Sequence, residues 1–281
     1  MALNDSTNAA AFLLPEQVHD LVVVPTTEAS VATRVATIAF TNSPEMRFPV
    51  ITADASSAWT AEGAEIATSS VSANEVVVVP RKIASLVPIT NELASDSNPA
   101  ATELVGQSIA RDLARKLDAA FFGTTVANGP SGLQSVVGVQ SIPGGSITNI
   151  DPFVDAEFAV GNAGGTITAW ACNANTAKTL SKIKQSADSN VPLLQPDATS
   201  ATKRSINGAP LFVVPGTAIA DGLVWGIDTT KVFVVVRQDT TLVVDPSAYF
   251  TTDSIAVRAT MRVGFAFPDP TVIAKIGAGG S

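Results

Sequence analysis

Between Asn98 and Gly123 the chain carries the pattern that most limits what it can become. Val105, Ile109, Leu113, Leu117 and Phe121 recur every four residues, with Leu104 beside them. That spacing lines one face of an α-helix. Asn98 suits the cap, Pro99 the first turn and Gly123 the position just past the end. Arg111, Asp112, Arg115, Lys116 and Asp118 lie mostly off the stripe. The pattern predicts a helix of about 24 residues, roughly 36 Å long at 1.5 Å per residue. Such a length exceeds the usual helix of a compact domain and reads as a spine.

The residues before the spine have no core of their own. VATRVATIAF (31–40) and RFPVI (47–51) read as strands from their β-branched content. The stretch Thr52 to Asn74 is polar, with a lone Trp59, and strand character returns over Glu75 to Val79 and Arg81 to Ile89. Pro80 and Pro88 confine those strands to edges or bulges. Together they predict a long two-stranded hairpin with a polar tip. A lone hairpin is only marginally stable in water, so it must lie on something else, and a neighbouring subunit is the natural support. Residues 1–27 are polar, acidic and broken by Pro15 and Pro25. They read as an extended arm, with a short helix around Pro15 to Leu21; a disordered tail is the plainer alternative.

Beyond the spine, residues 128–165 are Gly-rich (NGPSGL, IPGGS, GNAGGT) and read as loops with short strands. A second helix is expected over Ala174 to Ala187, carrying Lys178, Lys182 and Lys184. Residues 210–270 alternate strand and turn. No internal repeat occurs and no flexible linker separates two cores, so the class is α+β.

Composition bears on the surroundings. Charged residues make up 15% and hydrophobic ones 46%, where soluble domains carry roughly 25% charged. Much of the surface is therefore expected to be covered. A membrane is excluded as that cover, because no apolar run nears the ~20 residues of a spanning helix; other copies of the chain are the better candidate. The first residues lack the basic start of a secretory signal. Net charge is −8, and the first 80 residues hold nine acids against Arg34 and Arg47. Tight nucleic-acid binding, which rests on cationic contacts to phosphate, is not expected.

Little points to catalysis. His19 is the one histidine, set in the arm, and Cys172 the one thiol. Nothing in sequence brings them together as a nucleophile–base pair, and their number excludes Cys/His metal sites. No cofactor is expected: no phosphate-binding loop occurs, and GNAGGT departs from the dinucleotide fingerprint. Glu62 and Glu65, beside Trp59, pose as a carboxylate pair, but an exposed or intersubunit loop is the simpler reading. The three lysines of the second helix read as a solvated face before a phosphate site. Asn4-Asp5-Ser6 matches a glycosylation sequon by chance.

Read in order, three segments carry a resemblance. They are AWTAEGAEI (Ala58 to Ile66), VVVVPRKIASLVPITNELASDS (Val76 to Ser97), and the spine ending LDAAFFGT. With the closing RATMRVGFAFPDPTVIAKI (Arg258 to Ile276), the chain resembles the Hong Kong 97-type major capsid proteins of tailed phages along nearly its whole length. The resemblance implies an N-terminal arm over 1–27 and an extended hairpin loop over 41–90. It implies a peripheral domain from 28–40, 91–129 with the spine helix, and 231–270. An axial domain would take 130–230 with the end of the chain, 271–281. DPSAYF, Asp245 to Phe250, would be a peripheral loop meeting its counterparts at three-fold contacts. Candidate intersubunit residues are Trp59, Glu62, Glu65, Arg81, Lys82, Asp245, Tyr249 and Phe250.

What the resemblance implies about function is a structural protein, not an enzyme. It would assemble as pentamers and hexamers into an icosahedral head that encloses double-stranded DNA without gripping it. Its partners would be itself, a portal, and separate scaffolding or decoration proteins, in the virion after assembly in the host cytoplasm. Because Met1 stands almost directly at the arm, scaffolding is expected from a separate protein or not at all, without cleavage maturation. Some members weld subunits by a Lys–Asn isopeptide bond promoted by a Glu. Matched through Arg262, the Asn position falls on Asp253 and the Glu position on Thr260, and residues 41–80 contain no lysine. No cross-linking by that route is expected. Two alternatives stay open: an encapsulin-type nanocompartment shell, and a secreted or surface adhesive β-rich protein.

Overall fold

The computed structural model describes residues 24–63, 65, 68–90, 100–145, 147–186, 189–194 and 204–277. The expected arm up to residue 23, with its Pro15–Leu21 helix and His19, lies outside the described residues, as do Asn98 and Pro99.

The spine forms as α2, Ala100–Phe122, preceded in the chain by the short α1, Val24–Ala29. The strands form two larger sheets beside a two-stranded hairpin. One has four strands in the order β1 (Thr37–Thr41), β10 (Phe233–Tyr249), β11 (Ser254–Ala266) and β4 (Arg81–Thr90). The apolar stripe of α2 explains the packing. Ile109 and Leu113 lie against Ile89, Val257 and Ala259 of β4 and β11, while Leu117, Phe121 and Phe122 enter the main core with Met261, Val263 and Phe265. Phe121 is the hinge of that core: its ring meets Phe122 at 4.9 Å and Phe265 at 5.1 Å, both edge-on.

The other sheet has six strands, in the order β5 (Gln140–Pro143), β12 (Ile273–Gly277), β9 (Val224–Ile227), β6 (Ala169–Asn173), β8 (Ala209–Val214) and β7 (Arg204–Ile206). Its central strands β6 and β9 are buried along their whole length, as strands covered on both faces must be. Trp170 of β6 lies opposite Gly226 of β9. A β-carbon there would come within 2.6 Å of the indole ring, so only glycine lets the tryptophan lie flat across the strand.

Several expectations need correction. Residues 31–36 are not strand: they form a buried turn, and β1 begins at Thr37. The Gly-rich stretch 128–165 contains a 12-residue helix, α3, Asp151–Asn162. Pro152 sits in its first turn, and Phe153, Ala156 and Val160 form its buried face. The helical spacing was present but short, and the glycines that end it at Gly161–Gly165 masked it. The second expected helix forms as α4, Ala174–Lys182, so Lys184 lies beyond it, its ammonium donating to the carbonyl of Asn190 at 2.9 Å. Gly123 donates its N–H to the carbonyl of Ala119 at 3.1 Å, and a β-carbon there would stand 2.5 Å from that oxygen.

Candidate intersubunit surfaces

The two-stranded hairpin pairs β2, Met46–Ala53, with β3, Ser72–Val78, antiparallel. Its base is seated: Phe48 stacks on Phe233 at 4.8 Å, and Val78 is buried with Val235 and Ala266. Near that base Arg47 bridges Glu45 at 2.8 Å and Glu75 at 2.7 Å. These pairs are exposed and screened by solvent, so they orient the strands more than they hold them. β4 does not belong to this sheet. It follows directly through Pro80 but pairs with β11, because Ile83, Val87 and Ile89 alternate onto the face that meets α2. The expected 41–90 hairpin thus divides at Pro80.

Further out, the described residues from Asp54 to Gly63 are all exposed. Trp59 is 106% exposed, and Glu62 and Glu65 are exposed beside it. Arg81 and Lys82, by contrast, lie at the hairpin's base, exposed at the start of β4 opposite Val263 and Arg262. Sequence reasoning grouped these five as contact residues; the structure places three at one end of the hairpin and two at the other.

A third exposed region is the distal end of the β10–β11 pair. The segment Asp245–Tyr249, expected as a loop, is the end of the 17-residue strand β10, followed by a 3-10 turn over Phe250–Thr252. Asp245 accepts from the Ser247 hydroxyl at 2.6 Å and its N–H at 2.8 Å. Those bonds, the hydroxyl first, hold its carboxyl below the usual range. Tyr249 is half-buried, whereas Phe250 is 86% exposed. The phenyl of Phe250 thus stands bare at the end of the β10–β11 pair.

Sequence reasoning missed one residue that ties these parts together. Asp118, expected off the apolar stripe, is buried on α2. Its carboxylate accepts from the Ser30 hydroxyl at 2.6 Å, the Ala32 N–H at 2.9 Å and the Val31 N–H at 3.2 Å. It thereby clamps the turn after α1 onto the spine. Burial pushes its pKa up, against the pull of those three donors. The signal was a second row along α2: Ala110, Ala114, Asp118 and Phe122 are also four apart, and all are buried.

A scan against family models matches residues 10–277 to the phage capsid family. The chain belongs to the phage capsid family. No curated protein matches it, but solved structures do. The capsid of an empty GTA particle shares 19% identity at a TM-score of 0.71, covering 89% of each chain. A structure from Microbacterium phage Oxtober96 shares 20% identity at TM-score 0.72, covering 88% of this chain and 90% of that one. One from Mycobacterium phage Bobi shares 17% at TM-score 0.72, covering 100% and 96%. At such identities the likeness establishes the fold, which is the Hong Kong 97-type capsid architecture in the α+β class. As a member of the phage capsid family the chain is a structural protein and not an enzyme.

In this capsid subunit the two positions aligned with the isopeptide chemistry lie apart. Asp253 takes a left-handed conformation (φ 47°) just before β11, and Thr260 lies well along that strand, its hydroxyl 2.6 Å from that of Thr241. An ionised carboxylate resists attack by a lysine amine, and the condensation would have to expel water from a protonated acid where an asparagine expels ammonia. A threonine hydroxyl takes no proton at neutral pH. Denaturing gels of assembled particles are expected to show a single monomer band; a ladder of covalent multimers would overturn this.

Proposed function

We propose that this chain is the major capsid protein of a tailed double-stranded DNA phage, assembling as pentamers and hexamers into an icosahedral head. The observation that carries this reading is the hairpin: its tip, with Trp59, stands fully exposed among the described residues. Marginal elements of that kind persist by lying on other copies. The four-stranded sheet with α2 would form the peripheral domain, and the six-stranded sheet with α3 and α4 the axial domain at the ring centre. Having a sheet each supports that division. Phe250 and its neighbours Asp245 and Tyr249 would meet their counterparts at three-fold contacts. Portal, scaffolding or decoration proteins would complete the head, assembly would occur in the host cytoplasm, and the DNA would be enclosed without tight binding.

The test is negative-stain electron microscopy of the full chain, first alone and then with the neighbouring phage genes supplied. Closed shells, tubes or capsomer rings support the reading, and nucleic acid as the packaged content distinguishes a head from an enzyme-filled compartment. A chain that stays monomeric under both conditions would overturn it.

A further inference from the structure

α2 and the base of the hairpin lie on opposite faces of the four-stranded sheet. Along β11, Val257 and Ala259 pack with Ile109 and Leu113 of α2, whereas Ala266 packs with Val78 at the hairpin base. Successive side chains of a strand point to opposite faces, so one face carries the spine and the other the hairpin. Away from its buried rows, α2 exposes Ser108, Arg111, Asp112, Arg115 and Lys116. Three cations against one acid thus stand on the solvent side of a helix in a chain of net charge −8.

Part of this surface is a cleft of about 390 Å³ where α2 meets the edge strand β4. Arg111 and Arg115 line it together with Ser108 and, from β4, Ser85. The two arginines are one turn apart, about 6 Å along the axis at 1.5 Å per residue. Among the described residues no ion pair or hydrogen bond engages any of these four side chains. Asp112 supplies the one carboxylate of the cleft, and beyond it Lys116 and Arg81 line an adjoining groove. Two guanidinium forks and two hydroxyls gather donors for an oxyanion, and an arginine fork grips phosphate oxygens in pairs. Such contacts position a nucleic-acid backbone without reading its sequence. Across a surface that is acidic in balance, a polyanion inside a shell is repelled except where cations outnumber acids.

We infer that the Arg111–Arg115 cleft of α2 contacts the phosphodiester backbone of the packaged double-stranded DNA, with Ser85 and Ser108 as further donors and Lys116 as a flanking charge. This rests on the capsid reading and adds which side of the subunit meets the genome: the α2 side lines the lumen, and the hairpin side turns away from it. The contact is loose. Three cations, Arg111, Arg115 and Lys116, neutralise few phosphates per subunit, and Asp112 opposes them. Each phosphate contact adds about 0.9 to the slope of log affinity against log salt, so the grip fades quickly as salt rises. That agrees with a head that encloses its DNA without holding it tightly.

Retention of a double-stranded DNA fragment by the unassembled full chain, titrated against salt, tests it. Arg111→Gln with Arg115→Gln is expected to weaken retention about tenfold or more at low salt and to lower the salt slope by about 2. Asp112→Asn removes the opposing charge and is expected to tighten retention about threefold, a gain that a misfolded chain would not give. Lys178→Gln with Lys182→Gln makes the same change of net charge on α4 and should leave retention within about twofold of the wild type. All these positions are exposed, so melting temperatures should hold. No retention by the wild type at low salt, or equal retention by the two double variants, would overturn the inference while assembled shells still stand as a capsid. Inorganic phosphate is the second probe: if it raises the melting temperature over chloride at matched ionic strength through Arg111 and Arg115, yet DNA is not retained, the cleft serves free phosphate and the genome contact is refuted. If the wild-type chain never assembles with its phage partners, the capsid reading falls first and the genome contact with it.

Discussion

Asp118→Ala is expected to lower the unfolding free energy by about 3–5 kcal/mol, since hydrogen bonds to a charged group are worth about 1.5–3 kcal/mol each and stranded buried donors cost about 1–3. The substitution leaves the N–H groups of Val31 and Ala32 without their acceptor in a buried turn. Ser30 can rotate its hydroxyl, so the two backbone donors carry most of the cost. Urea unfolding of the unassembled chain measures it; a change below about 1 kcal/mol would mean that water replaces the carboxylate, as ordered waters do elsewhere. The same group has a pH signature. Its folded pKa lies above the ordinary 3.8 because burial outweighs its donors. In the window above 3.8 the folded state therefore holds more proton than the unfolded one. Its contribution is fully present below 3.8 and is lost as pH rises through the raised value. Asp118→Asn should flatten that part of the stability profile, and an unaltered slope would exclude Asp118 as its source.

The second large effect concerns assembly and not folding. Trp59→Asp should cut particle yield at least tenfold, because a buried tryptophan at an interface centre commonly carries about 2 kcal/mol or more. In the free subunit Trp59 is fully exposed, so the melting temperature should hardly move, as surface substitutions stay within about 0.5 kcal/mol. Sedimentation of particles and thermal melting of the unassembled chain separate the two quantities. Equal loss in both would show that Trp59 packs within its own subunit.

How much could be read from the chain alone differs by element. The α2 stripe from Val105 to Phe121 was legible because a four-residue spacing over several turns has one geometric solution. The hairpin was legible too, from Arg47–Ile51 and Glu75–Val79 around a polar tip, and its lack of an own core pointed to partners. Helix α3 was not, since one short buried row, Phe153, Ala156 and Val160, is outweighed locally by turn-formers on either side, Asn149, Asp151 and Pro152 before it and Gly161, Gly164 and Gly165 after it. Residues 31–36 read as strand because valine and threonine favour strands, yet the N–H groups of Val31 and Ala32 go to the Asp118 carboxylate and those of Arg34 and Val35 to the Val31 carbonyl instead of a ladder.

The candidate surfaces divide along the same line. That Trp59, Glu62 and Glu65 sit together follows from adjacency in the sequence, and so does the pairing of Arg81 with Lys82. That Lys116 of α2 joins those two cations around a groove that Phe265 also lines required three distant segments to meet, and no local spacing encodes such a meeting. The sequence by itself determined the periodic elements, the exposed tip, the absence of the isopeptide residues and the membership of the family. Only the tertiary structure decided that β4 leaves the hairpin for the sheet under α2, that Asp118 turns inward, and that a cationic groove opens beside Pro80. Side-chain periodicity is a property of neighbouring residues, whereas burial of a charge and the lining of a groove are set by which segments the whole fold brings into contact.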